Sequence, residues 1–192
     1  MKKVLLFLLV ISLSINASEK LNVDGKSCSV PKNIMIAVLM NESSNKRPLG
    51  YEYIIRVNGK ENSRITRKVF KSLIKDEMIE KLGRDVYDCK NEKLCITIAN
   101  HLISNGVKNL DLGAYQTNYY YHPDKLEKFF NFNSSYLMAC RYQHKLINQY
   151  GYSWKTVAMY HSKTKKYNSA YQERLFKNYN KIISNPEEGI IR

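Results

Sequence analysis

The beginning of this chain constrains the rest of it. Met1-Lys2-Lys3 is a short basic start, and residues 4–15 run through apolar side chains with only Ser12 and Ser14 as breaks. Asn16-Ala17-Ser18 then places small residues ahead of the charged Glu19-Lys20. This is the layout of a secretory signal peptide, with cleavage expected near Ala17. The apolar run is shorter than the roughly 20 residues that span a bilayer, and no second run of that length follows, so no stable membrane insertion is expected after cleavage. Residues 1–18 are read as the leader, residues 19–185 as one folded domain and residues 186–192, from Pro186 onward, as a flexible tail. The expected location is periplasmic or secreted.

Export decides how the cysteines read. Cys28, Cys89, Cys95 and Cys140 all lie beyond the leader. An even number of cysteines in an oxidising compartment points to disulfides, here with three possible connectivities. The expected pairs are Cys89 with Cys95, closing a small loop, and Cys28 with Cys140, a long-range staple. A metal site on Cys89, Cys95 and His101 is the competing reading. Their spacing matches no familiar zinc pattern and a fourth ligand is missing, so no metal is expected.

Lys and Arg number 31 against 17 Asp and Glu, a formal net charge of +14, and losing Lys2 and Lys3 with the leader still leaves about +12. Such an exported protein is drawn to polyanions, among them the anionic cell wall. The charge is scattered rather than patterned: Lys163, Lys165 and Lys166 form the densest run, and Arg64, Arg67, Lys68, Lys71 and Lys75 are read as a solvated face. No groove-reading motif is present, so nucleic acid is not an expected partner. With 44% hydrophobic residues, four prolines, eight glycines and no low-complexity runs, disordered, collagen-like and repeat architectures are excluded.

Along the mature chain, Pro31 suits the first turn of a helix whose apolar residues Ile34, Met35, Val38 and Leu39 recur at helical spacing. Residues 51–59 read as a strand running into an Asn58-Gly59 turn. Residues 63–82 carry mixed helical patterning. Asn91 is placed to cap a helix bearing Leu94, Ile98, Leu102 and Ile103, with Gly106 as its terminator. Further helices are expected over residues 134–150, 153–160 and 168–183, the last with Tyr171, Leu175, Tyr179 and Ile182 in register. The fold class is α+β, mainly α, with a small β insertion.

Glu42 continues the apolar stripe of the first helix, three residues beyond Leu39 and four beyond Val38. A carboxyl group on that face should be partly desolvated, with a raised pKa. Held protonated near neutral pH, it can serve as a general acid.

Three segments in order then carry a resemblance: Ala37-Val38-Leu39-Met40-Asn41-Glu42-Ser43, Asn109-Leu110-Asp111-Leu112-Gly113-Ala114-Tyr115-Gln116-Thr117-Asn118, and Tyr150-Gly151-Tyr152-Ser153-Trp154-Lys155-Thr156-Val157-Ala158-Met159-Tyr160. Together they resemble the soluble lytic transglycosylases of goose-type-lysozyme-like fold, especially the small exported members that accompany type IV secretion and conjugation systems. The resemblance implies a lysozyme-like two-lobed domain over residues 28–183. It makes Glu42 the catalytic acid, with Ser43 completing a Glu-Ser pair. Gln116 and Asn118 match the family's Gly-Leu-Met-Gln-Ile-Asn segment, from which Ala114, Tyr115 and Thr117 depart. Tyr160 matches the tyrosine of an Ala-Tyr-Asn-Ala-Gly segment, where Met159, His161 and Ser162 do not match.

The activity implied is cleavage of the MurNAc-GlcNAc β-1,4 bond of peptidoglycan with formation of 1,6-anhydro-MurNAc. Glu42 acts first as acid and then as base, and no cofactor is needed. Glycan strands are the implied substrate and a secretion or conjugation machine the implied partner. Ser43, Gln116, Asn118, Tyr160, Tyr115 and His161 are the expected substrate-binding residues. Most glycosidases use a second carboxylate. In the motif regions only Asp111 could supply one, and it is read as structural. The alternatives are a hydrolytic muramidase using Asp111, and a non-catalytic wall-binding assembly protein with a remodelled cleft.

Overall fold

Apolar residues on every side of one helix organise the molecule. In α1 (Lys32–Glu42) Ile34, Met35, Ile36, Ala37, Val38 and Leu39 are all buried, so the helix needs partners all round rather than along one stripe. It starts one residue beyond Pro31, whose carbonyl accepts from the backbone N–H groups of Ile34 and Met35. In this computed structural model, which describes residues 22–23 and 26–185, the partners of α1 come from the C-terminal half. The expected leader and tail lie outside the described residues.

α1 packs mainly on α6 (Lys165–Ser184), and α4 (Phe132–Tyr150) and α5 (Trp154–Ala158) join the same cluster. They bring Tyr136, Ala139, Val157, Ala158, Tyr171, Leu175 and Ile182 into one hydrophobic cluster with α1. Cys28 pairs with Cys140, fastening the entry of α1 to α4 across 112 positions. Trp154 is only partly buried and meets Phe176 and Tyr179 edge-on.

A second cluster lies under a five-stranded antiparallel sheet of order β4-β5-β3-β6-β7. Its strands are β3 (Ile54–Val57), β4 (Glu80–Gly83), β5 (Val86–Asp88), β6 (Leu110–Leu112) and β7 (Thr117–Asn118). A separate short ladder pairs β1 (Asn22–Val23) with β2 (Lys26–Ser27). Helices α2 (Lys60–Lys75) and α3 (Glu92–Ser104) complete the insertion. The fold is therefore α+β and mainly helical, with two hydrophobic clusters.

Local chemistry explains where expectation and structure agree. Asn91 accepts from the backbone N–H of Leu94 at 2.9 Å, and Gly106 follows α3 with φ +84°. Cys89 and Cys95 are joined to each other, which consumes both thiols of the metal alternative. Two expectations need correcting. Asn58-Gly59 does not turn a hairpin: with φ +92°, Gly59 passes β3 straight into α2. The mixed pattern over residues 63–82 resolves into α2 and then strand β4, whose Glu-Lys-Leu-Gly sequence carries no β-branched residue and is ordered by pairing with β5.

Candidate active site

Glu42 is the last residue of α1 and opens onto a cleft of about 680 Å³ between the two clusters. Its side chain is only 6% exposed. Burial raises its pKa from the ordinary 4.5 to about 7, against the opposing pull of the Tyr171 hydroxyl and of Arg56 and Arg174; Asp111 pushes it up. A carboxylate here would also face the negative end of the helix dipole. The Tyr171 hydroxyl donates to Oε1 at 2.7 Å. The imidazole of His161 stacks flat on Tyr171, at 4.9 Å and 3° between rings, with Nδ1 4.0 Å from the same Oε1. Burial, with Arg174 and Arg56, lowers the His161 pKa.

The opposite wall is the sheet. Alternation along β3 buries Ile55 and Val57 in the second cluster and turns Arg56 into the cleft, and β6 likewise buries Leu110 and Leu112 and presents Asp111. Arg56 and Asp111 are register partners across the ladder. Asn58 and Asn109 extend this wall, and Tyr121, His122 and Tyr142 line the cleft beside it.

The segment from β6 to β7 turns through residues 113–116. Gly113 has φ +74°, and a Cβ there would sit 1.9 Å from the carbonyl oxygen of Phe129, so the turn closes only with glycine. Gln116 follows at φ +47°, a strained setting for a residue with a side chain. Its Nε2 donates to the Gly113 carbonyl at 2.7 Å, and its Oε1 is buried without a hydrogen-bond partner. The turn thus puts Gln116 in the cleft lining, with its amide oxygen withdrawn from solvent.

Of the expected site residues, Glu42, Gln116, Asn118, Tyr160 and His161 line one cleft. Asn118 lines it as a strut: its Nδ2 donates to Asn109 Oδ1 at 2.8 Å and to Asp111 Oδ1 at 2.6 Å, and its Oδ1 accepts from the backbone of Tyr120. Ser43 is not part of the lining; it caps α1 by donating its backbone N–H to the Leu39 carbonyl.

After Ser43, Tyr115 is the second assignment to be corrected. Tyr115 is completely buried and packs on Phe132 and Tyr136, so it is a core residue and only its carbonyl serves the site. Residues at both ends of the turn, Gly113 and Gln116, take left-handed backbone angles, and of the two neighbours only Gln116 is in the cleft lining. That carbonyl accepts from the Tyr160 hydroxyl at 2.8 Å, with Thr117 Oγ1 at 3.3 Å. Tyr160 therefore braces the turn, and the hydroxyl bonded to Glu42 belongs to Tyr171.

Tyr171 and Arg56 are the site residues that sequence reasoning missed. Each left a trace: a tyrosine on the buried stripe of α6 needs a partner for its hydroxyl, and a lone arginine alternates with Ile55 and Val57 in β3. Among the described residues, no group of three or more His, Cys, Asp or Glu side chains is placed to hold a metal ion. No helix among them is long and apolar enough to cross a membrane. No family model, curated protein or solved structure matches this chain.

Proposed function

We propose that this chain is an exported peptidoglycan lytic transglycosylase, cleaving the MurNAc-GlcNAc β-1,4 bond with Glu42 as general acid and then base. The observation that carries the reading is the Glu42 carboxyl, buried at the edge of a polar and aromatic cleft, with its pKa raised to about 7. Such a group is protonated often enough to give a proton and ionised often enough to take one. Further support comes from the three motif segments, whose Glu42, Gln116 and Tyr160 share that cleft. The motif resemblance extends the reading to action in the periplasm or outside the cell, beside a secretion or conjugation machine.

In the first step the Glu42 carboxyl gives its proton to the glycosidic oxygen as the C1–O bond of MurNAc breaks, and the bonding electron pair leaves with the GlcNAc hydroxyl. Tyr171 holds Oε1, leaving Oε2, which has no hydrogen-bond partner among the described residues, for that transfer. Positive charge develops at C1 of the muramyl ring. The C6 hydroxyl of the same sugar then attacks C1 and closes the 1,6-anhydro ring, and the Glu42 carboxylate accepts the hydroxyl proton. The acid is restored. Gln116 lines the same cleft and would contact the sugar there.

One observation favours a second reading. Asp111 lines the same cleft, so a water held by it could replace the C6 hydroxyl, making the protein a hydrolytic muramidase. Incubating the mature chain with purified sacculi separates the cases. Anhydro-muropeptides that vanish with Glu42→Gln support the transglycosylase. Reducing-end muropeptides that vanish with Asp111→Asn support the hydrolase. Sacculus binding without any cleavage product would overturn both in favour of a wall-binding assembly protein.

A further inference from the structure

Arg56 has no use in the chemistry above. Buried guanidinium groups are normally matched by a carboxylate, because removing the charge from water is costly unless it is paired. Arg56 is partly buried, and its Nε, fully withdrawn from solvent, has no hydrogen-bond partner among the described residues. None of the ion pairs among the described residues includes Arg56. Asp111 stands opposite it in the β3–β6 ladder, but the Asp111 Oδ1 takes its hydrogen bond from Asn118 instead. Backbone pairing explains where Arg56 sits, and among the described residues no carboxylate forms an ion pair with it.

The side chain faces the cleft, on the wall across from Glu42. Other charges lining that cleft leave room for an anion. Lys163 adds a cation at the rim, its Nζ donating to the Tyr150 hydroxyl, and Asp111 is the other carboxyl side chain in the lining. Burial raises the Glu42 pKa to about 7, which favours its neutral form in acid. A chitin-like strand of neutral sugars offers hydroxyl and carbonyl acceptors but no charge to match a guanidinium. A muramyl strand does offer something: the lactyl group is a free carboxylate where the stem peptide has been removed, and the stem peptide carries carboxylates where it has not.

We infer that Arg56 is a specificity-determining residue that binds a carboxylate of the glycan strand, so that the cleft selects anionic muramyl saccharide over neutral chitooligosaccharide. The planar guanidinium suits this task, since it presents paired N–H donors matched to the two oxygens of a carboxylate. The inference rests on the saccharide reading of the cleft but not on its catalytic competence.

The test is therefore made on binding, in the mature disulfide-bonded chain carrying Glu42→Gln so that no strand is cut. Affinity is measured by calorimetry for four ligands: chitotetraose, a peptide-free GlcNAc-MurNAc tetrasaccharide, the same tetrasaccharide with its lactyl carboxylates reduced to alcohols, and a peptide-bearing tetrasaccharide. Arg56→Gln is expected to weaken the carboxylate-bearing ligands about ten- to hundred-fold, the range of a charge-assisted hydrogen bond, and to leave chitotetraose unchanged. Arg56→Lys should recover part of the loss.

Reduction of the lactyl carboxylates needs no altered protein at that position. If it causes the same loss with Arg56 intact, the lactyl group is the source. If instead the peptide-bearing ligand binds more tightly and loses its advantage in Arg56→Gln, the stem peptide is the source. Equal weakening for chitotetraose and the anionic ligands, or no weakening for any of them, overturns the inference. Carboxylate selection together with uncut sacculi would remove the enzymatic reading and leave this one standing.

Discussion

Replacing Glu42 by glutamine should make the protein more stable, and only at high pH. A group whose pKa rises from 4.5 to about 7 on folding binds its proton more tightly in the folded chain. Stability is then full below pH 4.5, falls as pH rises towards 7, and levels off above that, where the buried carboxylate is charged in both states. At about 1.4 kcal/mol for each pH unit between the two values, the cost comes to about 3 kcal/mol at pH 8.5. Glutamine removes this cost and keeps the Tyr171 bond, because its Oε1 can still accept from the hydroxyl. Urea unfolding at pH 4 and pH 8.5, disulfides intact, measures it. With m values of about 1–3 kcal/mol/M, the Glu42→Gln midpoint should exceed that of the parent by roughly 1–3 M at pH 8.5 and by little at pH 4. An equal difference at both pH values, or none at pH 8.5, would refute the claim that burial sets this titration. The same substitution should abolish cleavage of sacculi, so stability would be gained where function is lost.

Other consequences follow from single contacts. Tyr171→Phe removes a bond that lowers the Glu42 pKa, so the alkaline limb of the activity profile should move to higher pH, at a stability cost of about 1 kcal/mol. Gly113→Ala should cost at least about 3 kcal/mol in thermal or urea unfolding, because its Cβ meets backbone at 1.9 Å in a left-handed setting. Replacing Cys28 and Cys140 by alanine should cost about 5 kcal/mol, and replacing Cys89 and Cys95 only about 2, since the loops they close differ so much in length. Equal losses for the two pairs would show that loop length does not govern their effect.

Periodicity and local caps made much of this fold legible in the sequence. Glu42 is visible because a carboxylate interrupts an apolar stripe, Asn91 because it precedes a helix, and the two disulfides because export makes an even set of cysteines meaningful. What stayed hidden depends on chain segments far apart in sequence. Glu42 and Tyr171 are separated by 129 positions, and only the packing of α6 on α1 joins them. Tyr115 and Gln116 are neighbours in a motif, yet one is core and the other lines the cleft. That difference arises from backbone angles in the turn, to which composition and spacing are blind. Arg56 is hidden for another reason: a single arginine between Ile55 and Val57 reads as an ordinary exposed strand residue until the sheet face it occupies becomes a cleft wall.

Arg56 and Glu42 also act on each other, which links recognition to proton transfer. Arg56 pulls the Glu42 pKa down while burial pushes it up, and burial is the larger effect. A carboxylate docked on the guanidinium would cancel much of that pull, and it would also bring a negative charge into the cleft. Both changes favour the protonated acid, so Glu42 should hold its proton to a higher pH in the loaded cleft than in the empty one. The limb of kcat/KM reports the free enzyme and that of kcat the bound one. On peptide-free glycan the alkaline limb of kcat should therefore lie at higher pH than that of kcat/KM, and Arg56→Gln should narrow the gap while moving the kcat/KM limb upward. Coincident limbs in the parent protein, or a gap untouched by the substitution, would mean that the two charges work independently.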